Sequence, residues 1–378
     1  MVDERNLAER LIRYDTSRHD ELVAAAGFVK GWLESRDIEV REHDHNRLPV
    51  LVAEAGALRP DAPCVVFHGH LDVVPGQPEQ FEPRIEGDRL IGRGAYDMKG
   101  GLAAMMCALH DAGHQDQVRL RLICVPDEES EDLGERSTDA AVAQGLGGDF
   151  AITGEPTNLH IGVQAKGVLV MRIVVHGRAA HSSTPWLGDN AVLKAIDVFR
   201  AIETLPFSRE SSEMFDRPSI NLGRIEGGDA LNKVPDRCEM AVDVRYLPGQ
   251  DPGEILEQVR AIPEIDVKRT FIHPPVMVSP SDPYVRALRE AVSRARPDSE
   301  ALSVGRDGAS DAASFIEAGI PAVEFGPSGA GHHGPEEWVS VSSLATYRRA
   351  LADFVRDLPV WLDHTEGGGL TALEGGLA

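Results

Sequence analysis

The 378-residue sequence has only four cysteines, no long hydrophobic run and no surplus of positive charge. The cysteines stand far apart in apolar segments and form no CxxC pair; they are Cys64, Cys107, Cys124 and Cys238. This spacing does not favour a zinc site built from thiolates, so we expect buried, reduced thiols.

Acidic residues outnumber basic ones by 61 to 38, which gives a formal net charge of -23. The negative electrostatic field of such a protein could hardly be outweighed by a basic patch, so we do not expect nucleic acid as a partner. No stretch approaches eighteen consecutive apolar residues, and the first segment, MVDERNLAERLIRY, lacks the apolar core of a signal peptide. We therefore predict a cytoplasmic protein that has no membrane partner.

The length exceeds the size at which single hydrophobic cores stop growing, so we expect two domains. Apolar strands in the first part are each followed by a polar cluster: 63–75 contains HGHLD, 118–126 runs into DEE, and 149–153 runs into GEPT. Helical patterns at 98–112 and near 136–144 lie between these strands. Alternation of this kind predicts parallel βαβ units.

The pattern changes near Gly167 and returns near Pro280. Between these points strands and helices carry no carboxylate clusters, which indicates an inserted α+β domain of about a hundred residues. We predict a discontinuous catalytic domain, 1–167 with 280–363, and an inserted domain, 168–279. The Gly-rich tail, 364–378, is expected to be disordered.

Polar residues collect at the predicted strand ends and loops: His70, Asp72, Asp97, Glu128, Glu129, Glu155 and the pair His332 and His333. Each one alone has a simpler interpretation, because an Asp before a helix usually caps it and charged residues mostly lie in water. Their joint occurrence at successive strand ends indicates a metal site. Histidines and carboxylates without cysteine suit Zn²⁺ or a similar ion, and a shared carboxylate could bridge two ions.

Six segments occur in a fixed order: VVFHGHLDVVP, GRGAYDMKGG, DEE, TGEPT, AAHSSTPWLGDNA and GHHGPEEW. Together they resemble the di-zinc amidohydrolase family of succinyl-diaminopimelate desuccinylase, acetylornithine deacetylase, aminoacylase and glutamate carboxypeptidase. The resemblance spans about residues 5–360. It implies an α/β zinc-hydrolase catalytic domain with a mixed, largely parallel sheet flanked by helices. An inserted α+β lid domain, through which such proteins often dimerise, is also implied.

The resemblance implies five metal ligands. His70 and Glu155 would hold one zinc, Glu129 and His333 the other, and Asp97 would bridge both. His333 is preferred to its neighbour His332 because it stands four residues before a Glu, as the family pattern requires. Two Zn²⁺ per chain are expected, with Co²⁺ as a substitute, and a cis peptide bond is implied after the bridging residue.

Three catalytic roles follow from the same resemblance. Asp72 would accept a hydrogen bond from the far side of His70 and fix its tautomer. Glu128 would be the general base that takes a proton from the activated water and passes it to the leaving amine. His181 matches a histidine that reaches a neighbouring active site and stabilises the oxyanion.

Substrate contacts are implied in two places. Asn232 and Arg245 match positions that hold a substrate carboxylate, a task that suits the bidentate guanidinium. The stretch GASD resembles a substrate loop, with Gly308 and Ser310 as candidate contacts. Ala309 stands where desuccinylases usually carry Thr, which weakens the case for that substrate. Glu155, in place of the His or Asp of other branches, favours deacylases, desuccinylases and glutamate carboxypeptidases.

We therefore predict a metal-dependent hydrolase of the amide bond of a small N-acyl amino acid, similar to acetylornithine deacetylase or succinyl-diaminopimelate desuccinylase and active in amino-acid biosynthesis. A metallo-exopeptidase acting on short peptides is the alternative, because only the shape of the substrate pocket separates the two. A non-catalytic amino-acid-binding protein is a remote alternative, and such a protein would not need Glu128. A homodimer through the inserted domain is the family expectation.

Overall fold

The computed structural model describes residues 3–130, 135–297 and 301–366. Part of the acidic run that follows Glu129, at 131–134, lies outside the described residues. The predicted tail lies outside them from residue 367 onward.

Strands occur along most of the chain. In chain order they are β1 (Glu39–His45), β2 (Leu48–Gly56), β3 (Cys64–His70), β4 (Arg84–Glu86), β5 (Arg89–Ile91), β6 (Arg119–Val125), β7 (Phe150–Thr153), β8 (Ile161–Ala165), β9 (Gly167–His176), β10 (Ser219–Gly227), β11 (Arg237–Tyr246), β12 (Ile265–His273), β13 (Val276–Met277), β14 (Ser303–Arg306), β15 (Ala322–Glu324), β16 (Gly329–Ala330) and β17 (Trp338–Ser340).

The α-helices are α1 (Glu4–Ile12), α2 (His19–Glu34), α3 (Gly100–Ala112), α4 (Ser137–Ala141), α5 (Ala191–Ile202), α6 (Pro252–Arg260), α7 (Pro283–Ala295), α8 (Ala312–Glu317) and α9 (Val341–Glu366). Several begin at side chains that satisfy otherwise unpaired amides. Asn190 caps α5, Asp251 caps α6 and Asp282 caps α7. The sequence patterns predicted the long elements and missed short strands such as β5 and β17.

The chain forms two compact units. The first consists of the residues through Val163, Val278–Ser303 and the residues from Ser310, and the second of Gln164–Met277 and Val304–Ala309. The predicted limits, 1–167 with 280–363 and 168–279, stay a prediction. Helix α9 continues to Glu366, past the predicted end of the catalytic domain.

The sheet of the first unit has a parallel centre. Its strands run in the order β1-β2-β6-β3-β7-β15-β8. Pairs β6–β3, β3–β7 and β7–β15 are parallel, whereas β1–β2, β2–β6 and β15–β8 are antiparallel. The prediction of a mixed sheet with parallel βαβ units is confirmed. Because β6, β3 and β7 are parallel neighbours, the polar clusters that follow them lie at one edge of the sheet, where α/β proteins bind their ligands.

Helix α3 is buried along most of its length and packs against α1 and α9. Two glycines let its first turn approach neighbouring backbone closely. A Cβ on Gly100 would lie 2.3 Å from the carbonyl oxygen of Ala95, and one on Gly101 would lie 2.7 Å from that of Gly154. The glycines of the DMKGG segment thus bring the start of α3 against the loop that carries Glu155.

The second unit is an α+β structure. Its antiparallel sheet has the order β10-β11-β9-β12, and helices α5 and α6 pack against it. Residues of β11 alternate between buried and less buried, as expected for a sheet with one covered face. Helix α5 buries Ala191, Ala195, Val198 and Ile202 at helical spacing.

All four cysteines are free and buried, which confirms the expectation from their spacing. Among the described residues, no helix combines the length and the apolar character needed to cross a membrane.

Candidate metal centre

Polar side chains meet at the carboxyl edge of the sheet in the first unit. They come from the ends of β3, β6 and β7, from the segment before α3 and from the loop before β17: His70, Glu128, Glu129, Glu155, Asp97 and His333. The three strands are parallel neighbours, which explains why the side chains at their ends meet at the edge where α/β sheets bind ligands.

Asp97 lies between two imidazoles. Its Oδ1 is 3.1 Å from Nε2 of His70, and its Oδ2 is 3.5 Å from Nε2 of His333. One carboxylate thus presents a separate oxygen to each histidine, which is the arrangement of a ligand that bridges two ions. The peptide bond between Asp97 and Met98 is cis, as the resemblance implies.

Two glutamates extend this arrangement on opposite sides. Oε1 of Glu129 is 2.9 Å from Nε2 of His333, and Oε1 of Glu155 is 3.9 Å from Nε2 of His70. Ligand atoms of His70, Asp97 and Glu155 lie within 4.8 Å of one another, and so do those of Asp97, Glu129 and His333. The two groups of three share Asp97.

Two neighbours of these ligands need separate mention. His332 belongs to neither group, and its ring centroid lies 6.0 Å from that of Tyr96. Glu128 falls in a third grouping with His70 and Glu129. Its position is therefore compatible with a ligand as well as with the predicted base.

Carboxylates outnumber imidazoles in the cluster, and the pKa values reflect the imbalance. Burial, followed by the charges of Asp97 and Glu128, raises the pKa of Glu155 well above its ordinary value. Burial also raises the pKa of Glu128 well above its ordinary value, and the charges of Asp311 and Glu129 add to the effect.

The histidines are shifted toward their charged forms. Hydrogen bonds to Asp97 and Glu129 raise the pKa of His333 to about 10. Burial alone would lower the pKa of His70, but hydrogen bonds to Asp72 and Asp97 raise it well above its ordinary value. Burial would raise the pKa of Asp97, and the two imidazoles lower it instead.

Divalent cations fit this donor set. Imidazole nitrogens and carboxylate oxygens are ligands for Zn²⁺ and Co²⁺, and each group of three offers one histidine and two carboxylates. Positive ions would also offset the repulsion that raises the pKa of the buried glutamates. The residues present therefore suit the two-ion site that the resemblance implies.

Asp72 holds the loop that carries Glu128 and Glu129. Its Oδ1 accepts a hydrogen bond from the amide of Glu128 at 3.2 Å, and its Oδ2 accepts one from the amide of Glu129 at 2.7 Å. Nδ1 of His70 lies 2.9 Å from the main-chain oxygen of Asp72 and 3.5 Å from its carboxylate. The main-chain oxygen is thus the nearer acceptor for His70, where the sequence pointed to the carboxylate.

Two buried residues support the ligand loops, and the sequence assigned neither a role. The carboxylate of Glu337 accepts hydrogen bonds from the amides of Gly94, Tyr96 and Asp97. It also accepts one from Arg93, whose side chain is 4% exposed against 1% for Glu337. The only sequence signal for Glu337 was its spacing from the loop histidine.

A second buried network was also missed. Nε2 of His68 lies 2.9 Å from Oγ1 of Thr138 and 3.5 Å from Oδ2 of Asp311. Burial lowers the pKa of His68 to about 4, so its imidazole is neutral near pH 7. The sequence offered no periodic or spacing signal that joins residues so far apart.

A model of the peptidase family M20/M25/M40 matches residues 66–357. The chain belongs to this family. The succinyl-diaminopimelate desuccinylase of Halorhodospira halophila is 28% identical over 358 residues, which cover 89% of this chain and 91% of the relative. The acetylornithine deacetylase of Myxococcus xanthus is 32% identical over 331 residues, which cover 80% of this chain and 83% of the relative.

The crystal structure of a dinuclear metal-binding M20 peptidase from Bacillus subtilis matches with a TM-score of 0.69 and 18% identity, over 94% of this chain and 99% of that one. At this identity the likeness concerns the fold, and it confirms a catalytic domain with an inserted domain. Family membership confirms the predicted class of enzyme, because M20 proteins are metal-dependent hydrolases of amide and peptide bonds.

His181 lies in the second unit and is exposed. Its Nδ1 accepts a hydrogen bond from the amide of Ser183 at 3.1 Å and lies 2.8 Å from the hydroxyl of the same residue. An acceptor at Nδ1 leaves the ring proton of the neutral imidazole on Nε2. Nε2 is therefore the ring donor of the neutral imidazole, and the role of His181 at the oxyanion stays a prediction.

The candidate carboxylate-binding residues of this unit differ in their surroundings. Asn232 is exposed, and its main-chain oxygen accepts a hydrogen bond from the amide of Ser182. Arg245 on β11 donates from Nε and Nη2 to the two carboxylate oxygens of Asp243, at 2.9 and 3.0 Å. Two of its five N–H groups thus already serve a neighbour on the same strand.

The predicted substrate loop is divided between the two units. Gly308 is exposed in the second unit, and a Cβ there would meet nothing within 4 Å. Ser310 belongs to the first unit and is buried, with its hydroxyl 2.8 Å from Oε1 of Glu324. These contacts favour a role for Ser310 in shaping the loop over direct binding of a substrate.

Proposed function

We propose that this chain hydrolyses the amide bond of a small N-acyl amino acid at a centre of two Zn²⁺ ions, which Co²⁺ can replace. The ligands are His70 and Glu155 for one ion, Glu129 and His333 for the other, and Asp97 for both. One observation carries the proposal: the two carboxylate oxygens of Asp97 lie near histidines that belong to different ligand groups.

Ions bound there would supply a lowered pKa for the attacking water and a polarised amide carbonyl. Glu128 accepts the proton that this water loses and donates it to the departing amine. Asp72 keeps the base in position through the amides of Glu128 and Glu129. The products are a free carboxylate and a free amine, and the carboxyl group of Glu128 returns to its ionised form.

The oxyanion that develops on the amide carbonyl and the carboxylate of the substrate each need hydrogen-bond donors. We assign the oxyanion to His181, which supports this role with a proton on Nε2 and an exposed ring. Asn232 and Arg245 are assigned to the substrate carboxylate, with Gly308 and Ser310 in the adjoining loop. The two hydrogen bonds from Arg245 to Asp243 leave Nη1 for that contact.

Acetylornithine and N-succinyl-diaminopimelate are the two leading substrates, since the relatives named for them match most of the chain. A short peptide is the second candidate, and the likeness to a peptidase of known structure favours it. The presence of Ala309 in place of Thr argues against the succinyl group. A cytoplasmic location and a role in amino-acid biosynthesis stay predictions.

A homodimer through the inserted unit is also proposed. Leu193 and Ile196 on α5 are 61% and 44% exposed, although both are large apolar side chains. Strand β10 is an edge strand of its sheet among the described residues, and the backbone groups of such a strand can pair with another chain. Size-exclusion chromatography with light scattering tests this proposal, and a monomer at working concentration would refute it.

The test of function combines metal analysis with a hydrolysis screen of zinc- and cobalt-loaded protein. The panel contains N-acetylornithine, N-succinyl-diaminopimelate, several N-acetyl amino acids and a few dipeptides. Two metals per chain with turnover of one acylated substrate support the proposal. Two metals with cleavage of dipeptides alone favour the exopeptidase, and absence of bound metal after loading refutes the metal centre.

A further inference from the structure

We propose that the buried pair Arg93 and Glu337 is a clamp that joins the two loops carrying Asp97 and His333. Loss of this clamp would lower the affinity for the ion at His333 far more than the affinity for the ion at His70. The inference rests on the proposed two-ion centre and assigns positioning roles to residues that touch neither ion.

Glu337 uses both carboxylate oxygens on the Asp97 loop. Oε1 accepts from the amides of Tyr96 and Asp97, each at 3.0 Å. Oε2 accepts from the amide of Gly94 at 3.0 Å and from Nη1 of Arg93 at 2.8 Å. Every lone pair that faces this loop is therefore occupied, which fixes the main chain from which Asp97 projects.

Arg93 extends the clamp to the other loop. While Nη1 binds Glu337, Nη2 donates to the main-chain oxygen of His333 at 3.2 Å. The strands beside it reinforce this link, because β5 pairs with β17 and the amide of Gly92 donates to the main-chain oxygen of Glu337 at 2.9 Å. One planar guanidinium thus spans two loops that are far apart in sequence.

The two ions depend on this clamp unequally. In the group of Asp97, Glu129 and His333, two of the three ligands project from segments that Arg93 and Glu337 hold. In the group of His70, Asp97 and Glu155, only Asp97 does. His333 is the most exposed of these ligands, with half of its side chain accessible, so it has the least packing of its own.

A glutamine at 337 cannot reproduce the bonds. Each oxygen of Glu337 faces two donors, so the NH₂ group of Glu337→Gln meets two donors in either orientation. The neighbouring Glu336 provides a matched control, because it is exposed and pairs with Arg84 at the surface. Glu336→Gln makes the same chemical change one residue away and leaves the clamp intact.

The experiment titrates metal-free wild-type protein, Glu337→Gln and Glu336→Gln with Co²⁺, and follows heat by calorimetry and the visible absorption of each bound ion. We expect two binding steps in wild-type and Glu336→Gln. In Glu337→Gln one of the two steps, which we assign to the ion at His333, should lose about 10–100-fold in affinity and its absorption spectrum should change, while the other step moves much less. Circular dichroism of the metal-free proteins reports whether they are folded.

Arg93→Lys decides the matter if Glu337→Gln does not fold. Lysine keeps a charge beside Glu337, but its compact ammonium lacks the two separated nitrogens with which Arg93 reaches that carboxylate and the oxygen of His333. We expect the same step to lose about tenfold in affinity. Unchanged steps in a folded variant, or equal loss in both steps, would overturn the clamp. Fewer than two Co²⁺ in the wild-type protein would overturn the metal centre itself.

Discussion

Replacement of Glu128 by glutamine distinguishes a general base from a metal ligand at this position. The hydrogen bonds of residue 128 to Asp72 and Arg136 both use its main chain, so Glu128→Gln keeps the loop that holds Glu129. Only the proton acceptor is lost. General bases contribute about 10²–10⁴-fold to turnover, which corresponds to about 2.7–5.4 kcal/mol of barrier. We expect kcat to fall within this range while two metal ions stay bound.

The assay measures kcat by release of the free amine and metal content by plasma mass spectrometry on the same samples. Glu129→Gln is the contrasting variant, because Glu129 belongs to the group that would hold the second ion and should lose metal as well as turnover. Unchanged turnover in Glu128→Gln would refute the base. Loss of an ion from that variant would show instead that Glu128 is a ligand, as its grouping with His70 and Glu129 permits.

Four further outcomes follow from packing, burial and charge. Gly326→Ala should destabilise the protein by about 1–3 kcal/mol in urea unfolding, because its Cβ would lie 2.3 Å from the carbonyl oxygen of Glu155. Gly31→Ala in α2 meets nothing within 4 Å and should stabilise it by about 0.5–1 kcal/mol; the reverse order would contradict the packing. The third outcome concerns the ion pair of Glu54 and Arg121. Burial alone would raise the pKa of Glu54, yet Arg121 holds it below its ordinary value. The resulting stabilisation is present above the unfolded pKa of about 4.3 and is lost as the pH falls through the lower folded pKa. Glu54→Gln should therefore cost about 1 kcal/mol at pH 7, and this cost should shrink as the pH falls through the folded pKa; a pH-independent difference would exclude the ion pair. Finally, a disulfide reagent should modify no cysteine in the native protein and all four in denaturant, since every thiol is buried and burial raises the pKa of Cys107 to about 12.

The parts of the site that the sequence predicts are those that follow strands. His70, the Glu128–Glu129 pair and Glu155 each come directly after an apolar run, and parallel neighbours carry such residues to one edge. Asp97 and His333 project from loops, so periodicity could not relate them to the strands. Their assignment depended on the resemblance to a family.

The supporting residues could not be predicted, because their roles depend on tertiary pairing. Glu336 and Glu337 are adjacent and chemically identical. Glu336 is exposed, whereas the side chain of Glu337 is buried and pairs with Arg93. The difference arises from the three-residue strand β17 and its pairing with β5. Strands this short carry too few residues for alternation to be recognised. The network of His68 and Asp311, which joins β3 to the start of α8, was missed for a different reason, because no pattern relates residues so far apart in sequence.

The position of His333 in the chain has a consequence for biosynthesis. The ribosome releases His70, Asp97 and Glu155 early, but it releases His333 and Glu337 only after the whole inserted unit. A nascent chain thus contains His70, Asp97 and Glu155 while Asp97 and Glu129 still lack the histidine of their group. Domains generally fold as units, and the first unit includes the residues from Ser310 onward, so we expect the proposed metal centre to be completed only in the last stage of synthesis. Polypeptides terminated before position 333 would lack one proposed ligand, so we expect such fragments to hydrolyse no substrate.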